Sequence, residues 1–539
     1  MISLAKNKKH LRIILFIAVL CIFITSFTGF RQAEASDLNT VRVGLTARFR
    51  EVTSISINER SIVLGFNNFG NFNSIITVNA TSGFTVTIPS GYYARSSVGF
   101  LSYAEATMQG AGTILFDGNT YVLLRGPFQT PAEAQGHGEL YTPSLQSVLL
   151  SADDIPMVIF DTDMFMQIAP AAGADSIGLG DRRYRGVIEF GRFTRRNITA
   201  VNVISLEEYL YSVVPSEMPQ SWHMEALKAQ AVAARSYAVT RAGIHAQEGF
   251  DLCDGIHCQA YIGRGNEAER TTDAVRQTAG RFAFFNDEVI NATYFSSSGG
   301  VTDNSENVWV ATVPYLRSVI EIAEVEYRQW QRTFTMAELT QLANSGGYNI
   351  GTVQSVTLVH QFNGRVGRLT LNGTNGNRTL QKEGIRTFFS GSPEGSLLSR
   401  NFYIEGTSPP RITPGQVAAP DGGSQISILS ADGSIISAAP GSISILGAGG
   451  NTSIPNEIAV RGRATTVSYG GGQAQGNVTA QTPNLPETTI QSTGDSVTFI
   501  GKGNGHGVGM SQFGARGMAE AGFTYRQIIE FYYSGAIVK

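Results

Sequence analysis

At 539 residues, with 42% hydrophobic, 10% aromatic and 15% charged residues and 60 glycines, the chain is too long for one core, and about two to four domains are expected. Forty Lys and Arg against 43 Asp and Glu create no field that attracts nucleic acid, so that class of partner is set aside. The charged share falls below the usual ~25%, and abundant glycine suits an extracytoplasmic protein of strands and turns.

Lys6, Lys8, Lys9 and Arg12 precede the apolar run Ile13 to Phe27, and Ala33-Glu34-Ala35 supplies a small-residue cleavage site. Residues 1–35 therefore read as a signal peptide or, since the run is long, a membrane anchor. Export follows from either, with membrane contact only through this segment. Cys21 follows Leu20, which does not suit lipid attachment. Past the leader, Cys253 and Cys258 remain. An exported chain can oxidise such a pair, and the neighbouring His257 and His245 equally permit zinc.

Residues 36–145 alternate short apolar runs with turn residues, which predicts an α+β module. One pattern occurs twice, Gly99-Phe100-Leu101-Ser102 before Tyr103-Ala104-Glu105-Ala106 and Gly126-Pro127-Phe128-Gln129-Thr130 before Pro131-Ala132-Glu133-Ala134. Each predicts a strand that runs into a short helix with a Ser or Thr cap and Glu in the first turn. This repeat resembles the sporulation-related (SPOR-type) peptidoglycan-binding unit; an ordinary α+β module with chance repetition is the alternative.

Residues 146–406 hold further strands and one long helix. Val213-Val214 closes a strand or helix, and Pro215 and Pro219 bracket Ser216-Glu217-Met218, which predicts a rigid turn. Val, Met and Trp222 around Glu217 would desolvate its carboxyl and raise its pKa toward that of a general acid. The same glutamate also fits a plain helix-capping role. Ser221 is the expected N-cap of an alanine-rich helix whose Leu227, Ala231, Ala234 and Ala238 form one packing stripe. Arg235 and Tyr237 are its polar exceptions, suited to orienting a carboxylate or covering the helix.

Tyr294-Phe295-Ser296-Ser297-Ser298-Gly299-Gly300, Asn304-Ser305-Glu306-Asn307-Val308-Trp309 and Gly503-Asn504-Gly505-His506-Gly507-Val508-Gly509-Met510-Ser511-Gln512 are unusually rich in glycine and polar residues. Glycines let backbone approach a ligand closely, and His506 suits a proton carrier or substrate donor as well as a structural loop. Residues 407–495 turn to Gly, Ser, Thr, Ala, Pro and Gln and read as an insertion. Residues 496–539 resume a regular pattern and end in a helix at about 524–533.

Together L-E-x-Y-L (206–210), V-V-P-S-E-M-P (213–219), E-A-L-K-A-Q-A-V-A-A-R-S-Y (225–237), H-C-Q-x-Y (257–261), S-S-G-G (297–300), N-S-E-x-V-W (304–309), V-P-Y-L-R-S-V (313–319) and G-H-G-V-G-M-S-Q-F-G-A (505–515) resemble the stage II sporulation protein D / amidase enhancer family. The likeness runs from about residue 180 to 405 and again from 495 to 539. The expected fold is α+β, a strand-rich catalytic domain with a long alanine-rich helix and a C-terminal helix, preceded by the small α+β module. The likeness implies a peptidoglycan lytic transglycosylase that cuts glycan strands stripped of stem peptides, with Glu217 as single acid/base. The expected substrate-binding residues are Arg235, Tyr237, Ser298, Glu306, His506 and Gln512. Some members carry zinc, which would fall to Cys253, His257, Cys258 and His245 in a structural role; the chemistry itself requires no cofactor. The family name implies a second reading, a non-catalytic wall-binding enhancer of a partner amidase. Asn504, where an aromatic residue is common, and the 407–495 insertion depart from the pattern.

Overall fold

The computed structural model describes residues 39–68, 70–324, 328–361, 363–409 and 495–539, with the backbone of short strands between 426 and 490. The expected leader at 1–35 and most of the expected insertion lie outside the described residues. Among the described residues no helix is long and apolar enough to cross a membrane.

The architecture is α+β and strand-rich. A seven-stranded sheet runs, in spatial order, Leu252–Cys253, Thr40–Gly44, Thr199–Ser205, Val187–Gly191, Met166–Pro170, Ser61–Asn68 and Asn71–Asn79. Its alternating burial, as in Thr40–Gly44, reflects one face turned to a core. A second, ten-stranded sheet uses strands between Ser54 and Tyr184. Both sheets draw on the chain before and after residue 145; Thr40–Gly44 pairs with Thr199–Ser205 on one side and with Leu252–Cys253 on the other.

The repeated strand–helix pattern is visible in that second sheet. Tyr92–Phe100 leads to helix Tyr103–Thr107, capped by Ser102, and Tyr121–Phe128 leads to Pro131–Gln135, capped by Thr130 with Glu133 closing a capping box. The two strands pair antiparallel.

A three-stranded sheet brings Phe402–Ile404 and Ser496–Lys502 side by side and antiparallel. The chain therefore leaves for residues 407–495 and returns at the same end of one sheet.

The alanine-rich helix Met224–Arg241 is the element around which the rest packs. Its buried residues lie on every side, not on one stripe, as expected of a helix enclosed by protein. Ala231, Ala234 and Ala238 join the core of the two large sheets. Leu227, Ala229 and Val232 join a second core with Met510 and with Met518, Ile528 and Tyr532 from the C-terminal helices Gln512–Glu520 and Tyr525–Tyr532. Small side chains allow both layers to approach at native packing density. Its N-cap is His223, whose Nδ1 accepts from the Glu225 N–H at 3.3 Å, two residues beyond the expected Ser221.

Helix Gln512–Glu520 presses closely on neighbouring backbone: a Cβ on Gly517 would lie 1.8 Å from the Ala323 carbonyl oxygen. Gly517→Ala should therefore cost about 2 kcal/mol by overpacking, read as a lower urea midpoint with an unchanged slope; a midpoint equal to wild type would show that this contact yields freely.

Candidate active site

Glu217 is the last residue of helix Leu206–Glu217, not part of a free turn. Pro215 lies inside this helix, where it lacks the N–H that would bond the Tyr211 carbonyl. Met218 then turns extended, with φ −131° and ψ 133°, and its fully buried side chain anchors the exit in the second core. The start of the helix is equally fixed. The buried Arg235 guanidinium grips Glu207 bidentately at 2.8 and 2.7 Å and donates to the Arg281 carbonyl at 3.1 Å.

The half-buried Glu217 carboxylate meets three neutral donors. The Gln512 amide donates to Oε2 at 3.0 Å, and the Tyr294 hydroxyl and the Ala260 N–H also bond the carboxylate. Burial pushes its pKa above the ordinary carboxylate value, while those three hydrogen bonds pull the other way. Gln512 opens its helix behind the Ser511 cap, and Met510–Ser511 pairs parallel with Tyr294–Phe295. That pairing brings Tyr294 and Gln512 to one carboxylate. It requires Gly509, at φ +80°, since a Cβ there would fall 2.1 Å from the Thr293 carbonyl oxygen.

His506 sits behind this group. Its ring lies between Phe295 and Trp309, with centroids 5.4 and 5.1 Å away. Nδ1 accepts from the Val508 N–H at 3.0 Å, so Nε2 carries the hydrogen and donates to the Tyr294 carbonyl at 3.1 Å. Desolvation, with a smaller push from Arg386, drives its pKa down to about 3. A neutral imidazole with both nitrogens engaged holds the Tyr294 backbone instead of carrying protons.

The other expected binding residues divide. Gln512 touches Glu217, and the Tyr237 ring stands 6.2 Å from that of Tyr294. Arg235 is committed to Glu207. Ser298 is fully buried and donates to Glu324 through its hydroxyl and its N–H. Glu306 pairs bidentately with Arg317 at 2.8 and 2.6 Å; burial raises its pKa, but the Arg317 contacts outweigh this and hold it low. Sequence reasoning did not single out Tyr294, Gln259, Ala260 or Tyr209. The first lies in Y-F-S-S-S-G-G and the next two in H-C-Q-x-Y, so proximity to motif residues was the available signal.

Cys253 and Cys258 are free thiols. Their sulfurs, with one nitrogen each from His245 and His257, lie within 4.8 Å of one another. Cys258 Sγ is 3.5 Å from His245 Nε2 and 3.6 Å from His257 Nδ1, and Cys253 Sγ is 3.8 Å from His257 Nδ1. Zinc–sulfur and zinc–nitrogen bonds at tetrahedral angles give an S···N edge of ~3.6 Å, so the four donors fit that ion. Glu248 Oε1, 2.9 Å from His245 Nδ1, is the outer partner that a metal-bound imidazole takes. Cys258 runs directly into Gln259 and Ala260, the latter at the Glu217 carboxylate.

Fold and site define an α+β protein with one half-buried glutamic acid held by neutral donors beside a Cys2His2 cluster. Residues 194–285 match the family model described as SpoIID, stage II sporulation protein. Over 327 residues, 60% of this chain and 39% of the relative, it is 29% identical to the amidase enhancer of Bacillus subtilis (strain 168). It is 26% identical to stage II sporulation protein D of the same organism over 353 residues, 62% of this chain and 75% of that one. It is 25% identical to the Bacillus amyloliquefaciens protein of that name over 353 residues, 62% of this chain and 74% of that one. These likenesses support the stage II sporulation protein D / amidase enhancer family.

The Arg235–Glu207 pair reads as an anchor, and that is testable. Glu207→Ala strands a buried cation and should cost about 3 kcal/mol in urea unfolding. Adding Arg235→Met should restore most of it. A neutral single variant would remove the anchoring role.

Proposed function

We propose that this protein is an exported peptidoglycan lytic transglycosylase, cutting the β-1,4 bond between N-acetylmuramic acid and N-acetylglucosamine in stem-peptide-free strands during sporulation or wall remodelling. The observation that carries this reading is the lone Glu217 carboxylate, desolvated yet hydrogen-bonded only by uncharged donors. Gln512 offers an N–H to Oε2 and holds the carboxyl from that side. Glu217 gives its proton to the glycosidic oxygen as the bond to the muramyl C1 breaks. The carboxylate then takes the proton of the muramyl 6-hydroxyl, whose oxygen bonds C1 and closes a 1,6-anhydro ring. One residue serves as acid and then base, with its proton restored and no water consumed. The two-carboxylate hydrolases divide these tasks.

His245, Cys253, His257 and Cys258 would hold a structural zinc ion, which when bound cross-links their loop. The protein's own part is to carry Gln259 and Ala260 to the site from that loop. The strand–helix repeat within 92–135 supports a SPOR-like wall-binding role, and the pattern at 1–35 supports action outside the cytoplasm, secreted or anchored.

The name of the 29% identical relative, amidase enhancer, favours a second reading in which the protein binds wall and assists an amidase without cutting glycan. Stem-peptide-free glycan incubated with the protein decides between them. Anhydromuramyl ends that vanish in Glu217→Gln are expected; binding with no cleavage by either protein would leave the enhancer reading. Metal analysis should find about one zinc per chain, and a strong chelator should lower the melting temperature. A metal-free protein with a Cys253–Cys258 disulfide would contradict the zinc assignment.

A further inference from the structure

The hydrogen bonds behind Glu217 form a directed chain. Gln259 Nε2 lies 3.3 Å from the Ala234 carbonyl, and a carbonyl only accepts, so the orientation of this amide is fixed by chemistry. Its Oε1 then accepts from the Tyr209 hydroxyl at 3.2 Å. Its Nε2 also donates to the Tyr294 hydroxyl at 2.9 Å. One lone pair of the Tyr294 oxygen is thereby occupied, and its own hydrogen is left for the carboxylate it bonds, Glu217. The Tyr294 backbone is fixed from two further directions, by His506 Nε2 on its carbonyl and by the strand pairing with Met510. Tyr209 and Glu217 lie on the same helix, so the chain returns to the element from which it starts.

We propose that Tyr294 is the positioning residue of the acid/base: its hydroxyl, oriented by Gln259 and Tyr209, aims the Glu217 carboxyl and stabilises the carboxylate left after proton delivery. The proposal rests on the reading of Glu217 as acid/base and adds a residue that acts through it. Desolvation keeps the Tyr294 phenol protonated, reinforced by the charge of Glu217. The titratable groups around Tyr294 are Glu217, Tyr209 and Tyr237, and the groups on Glu217 are Gln512, Tyr294 and Ala260. Tyr294 is therefore the ionisable group directly bonded to the acid.

The test uses the exported part of the chain with its metal content intact, acting on stem-peptide-free glycan. Tyr294→Phe keeps the ring and removes the hydroxyl. Turnover should fall about ten- to hundredfold, as for a lost hydrogen bond to a charged group, with KM within about twofold of wild type because the group acts only through Glu217. A donor to the charged form lowers a pKa, so its loss raises that of Glu217. A general acid works while protonated, so the alkaline fall in activity should move to higher pH, by about one unit. Wild-type turnover with an unmoved alkaline limb, or a loss confined to KM, would overturn the proposal. Should Tyr294→Phe not melt cooperatively, Tyr209→Phe loosens Gln259 from a greater distance. It should show a smaller loss on the same limb, and an unchanged profile there would again overturn it. Glu217→Gln separates the layers: full activity in that variant removes both readings. An inactive Glu217→Gln beside a normal Tyr294→Phe removes only this one.

Discussion

The hydrogen bond between the Gln512 amide and the Glu217 carboxylate joins residues 295 positions apart, and much of the fold serves to make it. The alanine-rich helix sets the separation of two cores. Met218 seats the end of the Glu217 helix in one of them, while Arg235 and Glu207 tie down its other end. The C-terminal segment delivers Gln512 from the far side, through a glycine loop that lets Met510–Ser511 lie against Tyr294–Phe295. A carboxyl in this position is pulled both ways. Burial favours its acid form, and the three donors favour its ionised form. Such a balance would suit the proposed role, in which the group gives a proton and then takes one back.

The Cys2His2 cluster belongs to the same construction. It closes a loop that begins after the alanine-rich helix and ends at Gln259 and Ala260, one partner of Tyr294 and one of Glu217. A cross-link there holds backbone that otherwise rests on few regular elements, since Leu252–Cys253 is a two-residue strand. A zinc ion held there would act at one remove from Glu217, by keeping two of the site's donors in place.

The sequence made the α+β class, the alanine-rich helix, the capped short helices at 103–107 and 131–135 and the final helix readable, because each rests on local periodicity or capping chemistry. Glu217 and the metal-type donors were readable from motifs. Less legible was anything set by long-range pairing. Pro215 and Pro219 suggested a free turn, yet packing from both cores carries the helix through Pro215 to Glu217. Arg235, Ser298 and Glu306 had the polarity of binding residues, but their partners, Glu207, Glu324 and Arg317, emerge only once the chain is folded. His506, exposed by composition in a glycine loop, is desolvated by Phe295 and Trp309. Tyr294 could not be assigned because its role depends on which way one amide, Gln259, points.

Oxygen labelling tests the central claim most directly. Stem-peptide-free glycan would be digested in water enriched in heavy oxygen and the new ends weighed. An intramolecular attack by the muramyl 6-hydroxyl, with Glu217 alone moving the proton, predicts anhydro ends that carry no heavy oxygen. Reducing ends that carry it would show that water is the nucleophile and would contradict the account.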